Sequence, residues 1–260
     1  MKYALVSGGS KGIGFAIAEA LAKRNYNLVL IARGIEELQT AKNKLETEYK
    51  IHVEILPYDL SKSESADEIG KWCNERNLQL KMLCNVTGIG KAEDYLLIPL
   101  VDTLYMLKLN TEPAVSLTFY LLPVLQKNSP SYILNVSSMA GLAPIPVKNI
   151  YSATKSAIIF FSYALRYQLK KQNISVSCLC SGPVFTKPEI EKDTAQKLGW
   201  FANKIAIPAK QVGEIAVSKT LKGKMIIVPG IIASVISGFL RLMPRRLIVY
   251  IYYKLGSKNN

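Results

Sequence analysis

Unbroken apolar runs of strand length, each followed by a stretch with helical spacing, constrain this chain more than any other feature. Tyr3 to Ser7, Asn27 to Ile31, His52 to Pro57, Leu80 to Asn85, Tyr132 to Val136, Ser175 to Cys180 and Met225 to Val228 read as strands. Ile13 to Arg24, Glu36 to Tyr49, Ser63 to Glu75, a long segment ending near Leu125, and Ala153 to Lys170 read as helices. Several strands lack the polar alternation of a half-exposed sheet, so they need cover on both faces. Strands joined through helices run parallel with right-handed crossovers. The expected fold is therefore α/β, a doubly wound parallel sheet (Rossmann fold) in three α/β/α layers and a single domain. Its ligand belongs at the carboxyl ends of the strands.

The first strand breaks into Ser7-Gly8-Gly9-Ser10-Lys11-Gly12-Ile13-Gly14, which opens the first helix. In such a turn Gly8 permits the reversal, Gly12 admits a pyrophosphate and Gly14 lets the helix pack closely. The helix amides then face the phosphates. The second strand ends in Ile31-Ala32-Arg33, where an unphosphorylated dinucleotide calls for an acid on its ribose hydroxyls. Arg33, with Lys11 as a second positive charge, suits a 2′-phosphate instead, so NADP(H) is the expected cofactor. A surface role for Arg33 is the alternative. Asp59 and Leu60 follow the third strand, where a carboxylate or an adjacent amide can bond adenine; Asp59 can equally cap the next helix. Asn85, Val86 and Gly88 close the fourth strand beside the adenosine.

Tyr151 and Lys155 form a YxxxK pair and share a helix face. A nearby ammonium is expected to lower the phenol's pKa, making Tyr151 a proton donor to a developing alkoxide. Ser138, thirteen residues upstream in Asn135-Val136-Ser137-Ser138, can hold a carbonyl oxygen for hydride attack. Asn110 interrupts an apolar helix and reads either as a main-chain anchor holding a water near Lys155 or as a kink.

This set resembles the classical short-chain dehydrogenase/reductase family over nearly the whole chain. Gly8, Gly12 and Gly14 match its glycine motif, and Asn85 to Gly88 its strand-four motif. Asn110, Ser138, Tyr151 and Lys155 match its catalytic residues, and Ser181-Gly182-Pro183 the segment passing the nicotinamide. The resemblance implies cofactor contacts at Ser10, Ile13, Pro183, Val184 and Thr186, a Lys155 contact to the nicotinamide ribose, and a water relay through Asn110. It also implies a lid from Lys187 to Ile207. Val86 and Thr87 depart from the family's strand-four pattern. The implied activity is an NADP(H)-dependent reduction of a hydrophobic ketone or aldehyde, of carbonyl or 3-oxoacyl type. An NAD(H)-dependent alcohol or hydroxysteroid dehydrogenase, or a non-catalytic dinucleotide-binding protein, are the alternatives.

The net charge of +14, from 33 Lys and Arg against 19 Asp and Glu, suits a phosphorylated cofactor, an acyl-thioester substrate or an anionic surface. No basic run is interleaved with aromatics, so nucleic acid is not an expected partner. The four cysteines form no CxxC pair and read as buried free thiols of a reducing compartment. With one histidine, His52, neither a catalytic metal nor a histidine triad is expected. No secretory signal is evident, so a cytoplasmic location is expected. Residues 1–228 read as the catalytic domain and 229–260 as an apolar, basic extension. That extension can lie on a membrane, cover a homodimer or homotetramer interface, or roof a greasy pocket.

Overall fold

The computed structural model describes residues 1–90, 95, 97–185 and 207–256. Its central sheet contains β1 (Tyr3–Ser7), β2 (Asn27–Ala32), β3 (Val53–Pro57), β4 (Leu80–Asn85), β5 (Ser131–Ser138) and β6 (Ile174–Ser181). A last strand, β9 (Ile226–Ile227), closes one edge, and the order is β3-β2-β1-β4-β5-β6-β9 with every pairing parallel. A separate pair, β7 (Val184–Phe185) and β8 (Ile207–Pro208), lies outside this sheet. The helices are α1 (Gly12–Ala22), α2 (Ile35–Tyr49), α3 (Ser65–Glu75), α4 (Leu100–Lys127), α5 (Asn149–Leu169), α6 (Ala209–Leu221), α7 (Ile231–Leu242) and α8 (Arg245–Gly256).

The strands are apolar throughout because their residues alternate between two cores. Ala4, Val6, Leu28, Leu30, Met82 and Cys84 face a cluster with Ile17 and Leu21 of α1, Leu38 of α2 and Val212 of α6. Leu5, Val29, Ile31, Leu83 and Ile133 face the opposite cluster with Ile69 of α3, Leu117 of α4 and Leu165 of α5. Burial of each such side chain contributes roughly 1.5–3 kcal/mol. The expected doubly wound sheet, with helices on both faces, is therefore what forms.

Two boundaries move in ways that matter for the site. β5 runs on to Ser138 because Ser137 and Ser138 pair with Cys180 and Ser181 of β6, and two serines concealed that extension. α5 starts at Asn149 rather than Ala153, fed by a 3-10 turn at Pro146–Lys148, so Tyr151 already lies in the first helical turn. All four cysteines are buried free thiols, as expected.

The sheet orders β1 and β4 as neighbours with crossovers leaving in opposite directions, which opens a crevice at their carboxyl ends. Close approach of α6 to α1 rests on one glycine. A Cβ on Gly213 would stand 2.3 Å from the Ala16 carbonyl oxygen. Gly213→Ala is expected to lower stability by roughly 2 kcal/mol despite better helix propensity, because the two backbones must separate. Thermal unfolding checks this; an unchanged midpoint would show that α6 shifts freely.

Beyond β9, α7 and α8 rest on a third cluster. Ala233, Leu240 and Ile248 pack with Leu142, Ala143, Ile158, Ile159 and Val228. Arg245 fastens them, its Nη1 donating to the carbonyls of Leu142 (2.6 Å) and Leu240 (3.2 Å).

Candidate active site

The glycine turn is closed by main-chain bonds that the side chains of larger residues would obstruct. Gly8 and Gly12 take φ of +67° and +59°, where only glycine is unstrained. The Gly8 and Gly9 amides donate to the Ile31 carbonyl at 2.8 and 3.2 Å, which folds the turn onto the end of β2. A Cβ on Gly14 would lie 2.0 Å from the Gly8 carbonyl oxygen, so α1 can start here only with glycine. Lys11, the N-cap, provides no side-chain cap, and the first turn carries no acid. The leading amides of α1 are thus set for an external anion. Ser7, buried, accepts from the amides of Val86 (3.0 Å) and Thr87 (3.2 Å), tying the fourth-strand motif to the turn. Ile13 packs partly into the core.

At the end of β2, Arg33 is exposed and donates to the Tyr105 hydroxyl at 3.2 Å. The Lys11 ammonium is paired with Glu37 at 3.0 Å. Ser10 donates to the same carboxylate at 3.4 Å. Glu37, from the first turn of α2, is an acid that the motif reading passed over.

Asp59 neither caps α3 nor stands open. Its Oδ1 accepts from the Ser61 amide at 2.9 Å. That bond, with Arg33 and Lys62 nearby, holds its carboxyl below the usual carboxylate range. Leu60 turns its side chain into the core, so only its main chain can meet a ligand. Asn85 Nδ2 is spent inside, donating to Asn135 Oδ1 (2.8 Å) and Thr118 Oγ1 (3.2 Å). Asn135 in turn donates to Ser162 at 2.9 Å. This buried polar ladder joins β4, β5, α4 and α5, and it leaves Asn85 Oδ1 buried without a hydrogen-bond partner.

Four separated segments meet at Lys155. Its side chain is 5% exposed, and Nζ donates to the Val136 carbonyl at 3.1 Å. Burial pushes its pKa down to about 8. A Cβ on Gly88 would stand 3.2 Å from Lys155 Nζ and 3.0 Å from Asn110 Oδ1, so glycine keeps this corner open. The helix α4 continues through Asn110. Its Oδ1 accepts from the Ile89 amide (2.7 Å), while Nδ2 donates to the Ile89 carbonyl (2.9 Å) and Thr154 Oγ1 (3.1 Å). Thr154 donates onward to the Tyr151 carbonyl at 2.8 Å. Asn110 is thus the main-chain anchor of the alternatives considered.

The Tyr151 phenol and the Ser138 hydroxyl are neighbours, and Ser138 Oγ accepts from the Ala140 amide at 3.1 Å and donates to the Ser181 carbonyl at 3.4 Å. The expected lowering of the phenol does not prevail. Burial raises the Tyr151 pKa, the Ser138 hydroxyl opposes it, and the Lys155 ammonium lies 5.9 Å from the ring centroid. A neutral phenol beside a serine hydroxyl, backed by a buried cation, can hold an oxygen and donate a proton to it. The 3-10 turn after Ser138 (Met139–Leu142) packs so tightly on α5 that a Cβ on Gly141 would sit 2.7 Å from the Lys155 carbonyl carbon. Thr154, Gly141 and Ser7 escaped notice because their role appears only when distant segments are superposed. Pro183 precedes β7 and Val184 opens it. Thr186 and nearly all of the lid expected from Lys187 to Ile207 lie outside the described residues.

Known proteins share both the sequence and the fold. Very-long-chain 3-oxoacyl-CoA reductase of Mus musculus is 33% identical over 201 residues, covering 75% of this chain and 64% of its own length. The Homo sapiens protein of that name is 30% identical over the same shares. The chain thus spans a little under two thirds of these relatives. L-sorbose reductase from Gluconobacter frateurii, solved with NADPH and L-sorbose, superposes with a TM-score of 0.78 at 23% identity over 88% of this chain and 95% of its own. A 7β-hydroxysteroid dehydrogenase reaches 0.85 at 17% identity, with 96% of each chain covered. The short chain dehydrogenase family model matches residues 2–197, and with the sheet order and the residues gathered around Lys155, the chain belongs to the short-chain dehydrogenase family.

Proposed function

We propose that the chain is an NADP(H)-dependent oxidoreductase that reduces a hydrophobic ketone or aldehyde, with a 3-oxoacyl thioester as the foremost candidate. The carrying observation is the convergence of Ser138, Tyr151, Lys155 and Asn110 at the carboxyl edge of the sheet, beside the glycine turn. The thioester follows from relatives named as 3-oxoacyl-CoA reductases. It also suits the positive charge, since a coenzyme carrier is anionic.

The residues present fit a bound dinucleotide. Thr87 Oγ1 is buried without a hydrogen-bond partner and faces Gly8, so a polar group entering the crevice would satisfy it. Gly8, Ser10, Gly12, Ile13 and Gly14 would hold the pyrophosphate. Arg33 and Lys11 would hold the 2′-phosphate, and Asp59, the Leu60 main chain, Val86 and Gly88 would border the adenosine. Pro183, Val184 and Thr186 would flank the nicotinamide. When bound, the cofactor supplies a hydride to the carbonyl carbon. Ser138 orients the carbonyl oxygen, and Tyr151 donates the proton that the developing alkoxide requires. Lys155 stabilises the phenolate left behind, which regains its proton from solvent along the polar path through Lys155 and Asn110. Water exclusion falls to the packed turn at Met139–Leu142. Residues 1–228 are proposed as the catalytic domain. A second copy is proposed to cover α4, where Leu100, Leu104, Val115 and Phe119 are exposed on one side of the helix with Lys108 and Thr111 between them.

A second reading, NAD(H) use, is favoured by Glu37, since a carboxylate at this place can take ribose hydroxyls. Titration of nicotinamide fluorescence separates the two. Arg33→Ala is expected to weaken NADPH roughly tenfold or more and leave NADH nearly unchanged, as loss of a charge-assisted bond implies. Glu37→Gln, which frees Lys11, is expected to tighten NADPH. Tighter NADH than NADPH in the parent protein would sink the 2′-phosphate assignment. Consumption of NADPH on addition of 3-oxoacyl thioesters tests the substrate class.

A further inference from the structure

We propose that the outward faces of α7 and α8 form a docking surface for an anionic phospholipid bilayer. On α7, Ile231, Ile232, Val235, Phe239 and Leu242 are all exposed, Leu242 to 86%, and at 100° per residue they fall on one side of the helix. The opposite side, Ala233, Ser237 and Leu240, is the buried one. On α8, Ile248 is buried, while Leu247, Val249, Tyr250, Ile251 and Tyr253 are exposed. The inward side of both helices is thus accounted for, and the outward side is an amphipathic surface.

Charge selects the occupant. From Ile215 to Asn260 the sequence holds eight Lys or Arg and no Asp or Glu. Arg241 and Arg246 are exposed on these helices, while Arg245 is engaged with Leu142. A second copy seated on this face by a two-fold axis would set these cations against themselves, with no acid of the segment to answer them. An anionic headgroup layer answers all of them, and exposed tyrosines suit the boundary between headgroups and acyl chains. Each helix has 12 residues, about 18 Å, against a hydrocarbon core of about 30 Å, so they can lie on a bilayer but not cross it. No helix among the described residues is long and apolar enough to span a membrane.

The surface is continuous with the reaction site. α7 packs on the Met139–Leu142 turn and α8 on Pro146–Lys148, the segment that links Ser138 to Tyr151. Docking would set this segment at the membrane, where apolar substrates concentrate. The docking itself does not depend on which carbonyl is reduced.

The test is co-sedimentation of the full chain with vesicles of phosphatidylcholine alone or mixed with phosphatidylglycerol. Binding is expected to the mixed vesicles and to fall steeply with added salt. Phe239→Glu with Leu242→Glu is expected to reduce it roughly tenfold or more, and Arg241→Gln with Arg246→Gln about fivefold per charge. Unchanged NADPH binding and unfolding midpoint certify that the variants are folded. Absence of binding by the parent protein, or equal and salt-insensitive binding to both vesicles, would overturn the proposal. So would an oligomer in vesicle-free sedimentation that Leu242→Glu dissociates, since a second copy would then own the face. If the glutamate variant fails to fold, the salt series on the parent protein still decides.

Discussion

Tyr151→Phe is expected to lower turnover by about 10²–10⁴-fold while NADPH binding stays within a few-fold of the parent. The phenol hydroxyl is the only part removed, and the Ser138 hydroxyl is its neighbour in the structure. The ring that packs against Gly90, where a Cβ would approach Cε2 to 3.3 Å, is retained, so the fold has no reason to change. The pH profile adds an independent readout. Burial holds the Tyr151 pKa above its ordinary value, so the proton-donating form persists through neutral pH, and activity should fall only in alkaline solution. In the variant that fall should disappear from the residual rate. Substantial activity in Tyr151→Phe would place the proton donor elsewhere, with Ser138 the nearest hydroxyl.

Lys155→Met is expected to do two opposite things: abolish most activity and stabilise the cofactor-free protein. Burial lowers the folded-state pKa from 10.5 to about 8. Below pH 8 the ammonium is charged in both states, and its desolvation penalty, about 3 kcal/mol from that shift, is fully present. Between about 8 and 10.5 the unfolded chain binds more protons than the folded one, so parent stability rises with pH across that window. The methionine variant should lack this rise. Loss of the bond to the Val136 carbonyl offsets about 1 kcal/mol, which leaves a net gain of about 2 kcal/mol near neutrality. For a chain of this size that is a rise of roughly 4–8 °C in unfolding midpoint. A lower midpoint at neutral pH would mean that Lys155 supports the fold more than burial penalises it. The measurement is a thermal scan at several pH values, paired with turnover.

The two outcomes describe the same trade. The site keeps an expensive cation buried next to a phenol whose proton it must help to move, and the surrounding α/β core makes that cost bearable.

How much of this was legible beforehand varies by residue. Ser138, Tyr151 and Lys155 were readable because spacing along one strand and one helix carries their relation, although the helix proved to begin four residues earlier than its apolar pattern indicated. Asn110 was singled out by polarity alone; that it anchors Ile89 and Thr154 could not be seen, since those partners lie 21 and 44 residues away. Lys11 was singled out as a second positive charge in the glycine turn, and its pairing with Glu37 was invisible, because an acid in the first turn of a helix usually serves that helix. Asn85 fitted a ligand motif, and the ladder to Asn135 and Ser162 engages its Nδ2 alone.

By itself the amino-acid sequence determined the alternation of strands and helices, the parallel sheet with both faces covered, and the glycine turn. Each of these depends on local periodicity or on backbone freedom at Gly8, Gly12 and Gly14, which neighbouring residues suffice to express. Tertiary structure alone decided which polar groups face a ligand and which face one another. It set the Tyr151 pKa upward where a neighbouring lysine argued for downward, because desolvation is a property of everything packed around a group. It also chose which side of α7 and α8 is buried, since an apolar helix acquires an inside only when a core is placed against it.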